Sequence, residues 1–293
     1  MPILFNDTSN KSLELKEFIE IANSKIEFDN IDSLLSIKDE LLMLGNNRNF
    51  FINYLNEELK DNLSGFQSEN SYNEQSFLLY NTDDYYIRAT YWPMLSENSI
   101  IKNSQNQVFS YNYAHDHNFA LLTTGYKGEG YWTKIWQYDY NKTIGYVGED
   151  VQLDFSIHTN LCEKRAIFYE PSKDIHIQLP PTTEDSLAIN VILKSYNQFN
   201  MKQYEFDIPN QKISGLIKGS TESKFGIIDL ASKFGDDETK NFLMELSKKH
   251  CIPHIRQESI IALHKLENTK NHLEMGLQDN DKSVRKYFEL LLP

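Results

Sequence analysis

The feature that most constrains the fold is a change of hydrophobic rhythm near Gln75. From there to Leu216 the chain falls into short runs rich in Tyr, Phe, Ile and Thr. They are Phe77–Tyr80, Tyr85–Tyr91, Ala120–Thr124, Thr133–Tyr140, Asp150–Ile157, Arg165–Glu170, Ile175–Leu179 and Leu187–Leu193. Gly125, Gly128, Gly130, Gly145 and Gly148 stand in loops between several of them. Short strands separated by turn residues are the pattern of a β-sandwich or barrel. The gaps are too short for helical crossovers, which argues against a Rossmann-type parallel sheet. An aromatic content of 13% suits a β-rich core of packed rings.

On both sides of this zone the rhythm is helical. Leu13, Leu15, Phe18, Ile19, Ile21 and Ala22 recur at near-helical spacing, as do Ile31, Leu34, Leu35, Ile37, Leu41 and Leu42. Gly45 is the expected C-cap of the second helix. Asn49 to Leu63 reads as a third helix, and Ser64 to Glu74 as a polar linker. Three regions are therefore expected: helices over 1–74, a β-domain over 75–218 and a second helical module over 219–293. The fold class is multidomain, with α and β regions separate.

Charge and composition narrow the function classes. A net charge of −13 repels phosphate backbones and disfavours nucleic acid. No apolar run is long enough to span a bilayer. The segment Met1-Pro2-Ile3-Leu4-Phe5-Asn6-Asp7 has neither a basic n-region nor a long apolar stretch. Cys162 and Cys251 are far apart and form no disulfide framework. A reduced, cytoplasmic protein is expected. Neither a Gly-x-Ser-x-Gly elbow nor a Walker loop is present.

The last region contains an internal repeat. Pro253-His254-Ile255-Arg256-Gln257-Glu258-Ser259 matches Lys282-Ser283-Val284-Arg285-Lys286-Tyr287-Phe288, with the arginines 29 positions apart. A period near thirty is a solenoid signature. These residues resemble short HEAT-like repeats of the phycobilisome-lyase type. The resemblance implies stacked helices that bind a protein or peptide partner. An ordinary helical cap on the β-domain is the other reading.

The chemistry concentrates in the histidines. His115-Asp116-His117 follows the aromatic run Phe109, Tyr111, Tyr113. On a strand, positions i and i+2 share a face, so two imidazoles can grip one metal ion while Asp116 points away. The third ligand must come from another strand. His176, in Asp174-Ile175-His176-Ile177-Gln178, is the first candidate and His158 the second. Metal-bound imidazoles need partners on their other ring nitrogen, and Tyr113 and Gln178 have the right parity. A pair of core histidines is the reading without a metal.

His115-x-His117 in a strand-rich domain, with the later His176, resembles the cupin superfamily, and within it the thiol dioxygenases such as cysteine dioxygenase. The resemblance implies a β-barrel or sandwich with Fe(II) on three histidines. It also implies an arginine on an earlier strand that holds the substrate carboxylate. Arg88, in Tyr85-Tyr86-Ile87-Arg88, fits that place. Ordinary cupins carry a ligand Glu just after the pair, but Asn118-Phe119-Ala120-Leu121-Leu122 has no carboxylate. The late Ser-His-Tyr set of the dioxygenases matches Ser186, Ala188 and Asn190, so only the serine is kept.

The resemblance thus implies a non-haem iron oxygenase acting on an amino-acid-like or peptide-borne anion, with Arg88, Ser186 and Asn190 around the substrate. Zinc or another divalent ion suits the same three ligands, with hydrolytic or isomerising chemistry. A protein that binds a metal or small ligand without turnover is the remaining alternative. The glycine-rich stretch Gly125–Trp132 reads as a hairpin, or as a rim over the pocket.

Overall fold

The computed structural model describes residues 2–65, 67, 68, 70, 75–217 and 222–292. The boundaries expected near 74 and 218 lie outside these. The chain forms two compact units. The first is Met1–Tyr138 with Leu153–Tyr196, and the second is Asp139–Gln152 with Asn197–Pro293. The three expected regions are thus grouped in two, because the N-terminal helices share a core with the sheet. Among the described residues, no helix is long and apolar enough to cross a membrane.

In the first unit, β1 (Ile3–Asn6) leads into α1 (Leu15–Lys25), α2 (Ile31–Leu35), α3 (Lys38–Asn46) and α4 (Phe50–Lys60). The second expected helix is broken in two after Leu35. Asn30 caps α2 by accepting from the Ser33 amide, and Ile37 leaves helical geometry before α3 begins. Gly45 is not a cap. It lies inside α3, where an added Cβ would stand 3.1 Å from Thr124 Cγ2.

The strands follow: β2 (Ser76–Asn81), β3 (Tyr85–Trp92), then α5 (Ser99–Val108), β4 (Leu121–Lys127), β5 (Trp132–Gln137), β6 (Asp154–Asn160), β7 (Arg165–Tyr169), β8 (Asp174–Leu179) and β9 (Ser186–Leu193). They form a six-stranded antiparallel sheet, β1-β7-β4-β9-β3-β2, and a three-stranded sheet, β6-β5-β8. The two sheets make a sandwich and do not close into a barrel.

Alternation sorts the six-stranded sheet into two faces. Tyr85, Ile87 and Ala89 of β3, Leu122 of β4, and Ile189, Val191 and Leu193 of β9 pack on Phe18, Leu34, Leu41 and Leu44 of the helices. The opposite face carries Leu121, Ile167, Tyr169, Ala188 and Ile192, which share a second core with Tyr131 and with Ile135 of β5. That inner face positions the site.

The second unit holds α6 (Asn197–Asn200), the hairpin β10 (Tyr204–Asp207) and β11 (Lys212–Leu216), then α7 (Glu222–Phe234), α8 (Asp237–Lys249), α9 (Pro253–Glu267), α10 (Asn271–Gly276) and α11 (Lys282–Leu291). The segment Asp139–Gln152 docks on the hairpin through Gly148 N to Ile213 O (2.8 Å) and Ile213 N to Glu149 O (3.0 Å). The helices pack around Ile228, Leu243, Ile255 and Leu263, and around Ile260, Leu273, Val284 and Phe288. The matched heptapeptides open α9 and α11. Their arginines make the same contact: Arg256 donates to the His250 carbonyl and Arg285 to the Asp279 carbonyl, each six residues back. Asp279 also accepts two guanidinium bonds from Arg256, at 2.7 and 2.8 Å.

Candidate metal centre

β8 is an edge strand, and the segment before β4 runs along its free side. Asn112 N donates to Gln178 O (2.9 Å), His115 N to His176 O (3.1 Å), His176 N to His115 O (2.8 Å) and Ser172 N to His117 O (2.6 Å). His115 and His176 form an isolated antiparallel bridge. The expected regular strand with its aromatic stripe is not there. α5 ends at Val108, and left-handed Ser110 (φ 52°) and Asn112 (φ 61°) turn the chain before the bridge. The local alternation survives from 115 to 117. Asp116 is turned away and accepts from the Tyr138 hydroxyl at 2.7 Å.

His115, His117 and His176 come together. Their candidate ligand atoms all lie within 4.8 Å of one another. The ring centroids are 4.3 Å apart for His115 and His176, 4.7 Å for His117 and His176 and 4.9 Å for the first pair. Imidazole nitrogens bind first-row ions at about 2.0–2.1 Å, so modest side-chain rotation closes the trio on one ion.

The protonation states fit that use. His115 Nδ1 lies 3.0 Å from the Tyr113 carbonyl. A carbonyl only accepts, so Nδ1 carries the hydrogen and Nε2 keeps its lone pair. His176 is fully buried, and no well-formed hydrogen bond reaches either ring nitrogen among the described residues, the Asp174 backbone being a weak partner only. Burial, then the His115 and His117 charges, hold it well below the usual imidazole range, so it is neutral. A buried imidazole nitrogen left unmatched costs about 1–3 kcal/mol. A divalent cation removes that cost at one nitrogen, so the residues fit a metal. The expected third ligand is thereby brought to the pair. His158 is elsewhere, exposed on β6 beside Trp132.

The inner face beyond the trio is polar. Arg88 stands opposite Asn190 in the β3–β9 register, on the inward side with Thr90. Asn190 Nδ2 donates to Thr90 Oγ1 (2.6 Å), and Thr123 Oγ1 donates to Asn190 Oδ1 (2.5 Å). Asn190 is thus engaged within the sheet. Ser186 lies four positions along β9, where its Oγ accepts from Gly130 N at 3.0 Å.

Two residues that the sequence did not single out face this space. Tyr131 and Tyr169 lie with hydroxyl oxygens 3.3 Å apart. Burial pushes both phenols up, Tyr169 to about 12, so both are protonated at neutral pH. The Arg88 charge acts on Tyr131 in the opposite sense. The segment carrying Tyr131 is no hairpin, because β4 and β5 belong to different sheets. Gly128 (φ 84°) and Gly130 (φ 80°) turn the chain across, and a Cβ on Gly130 would collide with the Leu161 carbonyl. His117 is half-buried, which leaves a way to the trio from its side.

No protein-family model matches the chain, and no curated protein matches it. Solved structures similar to it include a cupin domain from Bordetella pertussis Tohama I, at 8% identity over 41% of this chain and 91% of that one, with a TM-score of 0.24. Hydroquinone 1,2-dioxygenase from Sphingomonas sp. TTNP3 aligns at 6% identity over 43% of this chain and 69% of its own, with a TM-score of 0.26. RmlC from Streptococcus suis aligns at 7% identity over 57% and 66%, with a TM-score of 0.26. TM-scores at this level assign neither family nor activity.

Proposed function

We propose that the protein is a non-haem metal-dependent oxygenase in which His115, His117 and His176 hold Fe(II), acting on an amino-acid-like or peptide-borne anion. The observation that carries this is His176, a buried neutral imidazole without a well-formed hydrogen bond among the described residues, facing two other imidazoles. Three imidazoles leave a ferrous ion open positions and one-electron chemistry with O2.

The chain's own residues do the rest. The Tyr113 carbonyl fixes the tautomer of His115, and the backbone bridge sets its spacing from His176. Arg88 supplies the positive charge on the inner face that an anion needs. The hydroxyls of Thr90 and Thr123 keep that face polar. Ser186 and Asn190, engaged in bonds within the fold, hold the lining rather than meet the substrate.

That engagement also favours a second reading, a metal- or ligand-binding protein without turnover. The C-terminal helices are taken as the surface for a peptide or protein that carries the substrate. Exposed Ile227, Leu230 and Phe234 on α7 support this, and the net charge of −13 favours a basic partner.

Metal analysis after anaerobic Fe(II) loading, followed by O2 uptake, tests the proposal. The expected result is about one iron per chain, lost in His176→Ala and kept in His158→Ala. Metal retained by His176→Ala and lost from His158→Ala removes the proposed ligand set. Zinc retained in place of iron favours hydrolytic chemistry, and bound iron without O2 uptake across candidate anions favours the binding-only reading.

A further inference from the structure

A polar cavity lies in the first unit, between α4 and the outer edge of β2. Its volume is about 350 Å³, and its lining includes Tyr54 and Glu58 of α4, Gln67, and Leu78, Tyr80 and Asn81 of β2. β2 ends the six-stranded sheet, so one side of its backbone has no neighbouring strand. Gln67 takes that place. Its Nε2 donates to the Leu78 carbonyl (3.1 Å), and its Oε1 accepts from the Leu78 amide (2.7 Å). The same Nε2 donates to the Tyr54 hydroxyl at 3.2 Å. Asn70 Nδ2 donates to the Ser76 carbonyl at 2.6 Å. A peptide adding here as a further strand would have to displace both side chains. A ligand therefore meets the side chains of the cavity rather than the strand edge.

Those side chains carry one charge. Tyr54 and Glu58 are four residues apart and share a face of α4. Glu58 is half-buried, and its carboxylate makes no hydrogen bond or salt bridge among the described residues. The adjacent Glu57, by contrast, is paired with Lys60. Burial, then the Glu58 charge, raises the Tyr54 phenol above its usual range, so the carboxylate acts on the same space. A half-buried carboxylate with no cation beside it is matched by a ligand that brings one. Aromatic rings such as those of Tyr54 and Tyr80 also attract a cation through their faces. Leu78 offers apolar contact for the alkyl stem behind it.

We propose that this cavity binds an organic ammonium group, carried by a free primary amine or by a lysine side chain of a peptide, with Glu58 as its counter-ion. The site shares no residue with the three histidines and does not depend on the metal reading. The net charge of −13 draws cations towards the protein in general, and Glu58 supplies the specific partner.

The test is calorimetric titration of the full chain with 1-butylamine hydrochloride, with a capped Gly-Lys-Gly peptide, and with 1-butanol as the neutral counterpart of the amine. The amine is expected to bind and the alcohol not to. Glu58→Gln keeps the size and helix propensity of the side chain, so the fold is expected to stand. Its amine affinity is expected to fall about fivefold, as for one partly exposed ion pair. Glu20→Gln removes an exposed carboxylate of α1 and is expected to leave the affinity unchanged. Unchanged affinity in Glu58→Gln overturns the proposal. So does an equal loss in both variants, which would mean attraction by net charge alone. Wild-type protein that binds neither amine nor peptide, or that binds the alcohol as tightly as the amine, overturns it as well. Peptide binding with the same dependence on Glu58 identifies a lysine side chain as the source, and binding of the amine alone identifies a free amine.

Discussion

The two faces of the six-stranded sheet are made by the same strands and do opposite work. On the helix side, Tyr85, Ile87, Ala89, Leu122, Ile189 and Val191 form an apolar layer under the N-terminal helices. One residue further along the same strands, Arg88, Thr90, Thr123, Asn190 and Tyr169 turn inward. Asn190 joins Thr90 and Thr123 there, and the Tyr169 hydroxyl meets that of Tyr131. Strand alternation lets one sequence segment stabilise the fold through one parity and hold chemistry through the other. Changes at even and odd positions should therefore separate stability from ligand binding.

The sharpest way to break that separation is Leu122→Ala on the helix side. Leu122 is fully buried, so the substitution is expected to cost about 2–5 kcal/mol in urea unfolding, while iron per folded chain stays unchanged. If metal content falls with stability, the two faces are not independent. A smaller effect is expected from Asn190→Ala on the inner face. It strips Thr90 and Thr123 of a shared partner and should cost about 1–3 kcal/mol, again with metal retained.

A third comparison sets His176 beside a half-buried imidazole in the other unit, His254, whose effect builds up with pH. His254 Nε2 has no partner among the described residues, and burial followed by the Lys202 charge lowers its pKa to about 3. The unfolded chain binds this proton near pH 6.5 and the folded chain does not. Stability is therefore expected to fall as pH drops from about 6.5 towards 3, with a slope approaching about 1.4 kcal/mol per pH unit. Facing groups also respond: Asp281 is lowered and Glu258 raised, while Lys202, lowered to about 8, stays charged throughout this window. The difference between wild type and His254→Leu isolates the histidine. An unchanged slope in the variant would mean that His254 is not the group responsible.

Much of the β-domain was legible because alternation and turn residues are local. All eight expected runs correspond to β2 to β9. β1 was not seen, since four residues paired only with β7 carry too little pattern. α5, Ser-Ile-Ile-Lys-Asn-Ser-Gln-Asn-Gln-Val, was not seen either. It lacks an apolar stripe and relies on Asn98, whose side chain accepts from the Ile100 and Ile101 amides. The glycines of the β4–β5 connection announce positive φ but not whether the chain returns to the same sheet. His115, His117 and His176 were readable from parity and scarcity. Tyr131 and Tyr169 were not, because nothing local says which of 17 tyrosines turn inward. Nor did the sequence reveal that Ser186 and Asn190 would find hydrogen-bond partners inside the fold.

The backbone bridge between His115 and His176 has a consequence for how the site is assembled. Two candidate ligands from distant parts of the chain are linked by a reciprocal pair of amide-to-carbonyl hydrogen bonds rather than by side-chain packing. Loop closure between them is completed when β8 receives its neighbour, and its entropy, which grows only slowly with loop length, falls on folding. An incoming ion then has to rotate side chains into place rather than bring backbone segments together. Such preorganisation favours rapid, tight capture over slow coupled folding. It also leaves the residues around the bridge free to diverge in sequence, provided their amides and carbonyls remain where they are.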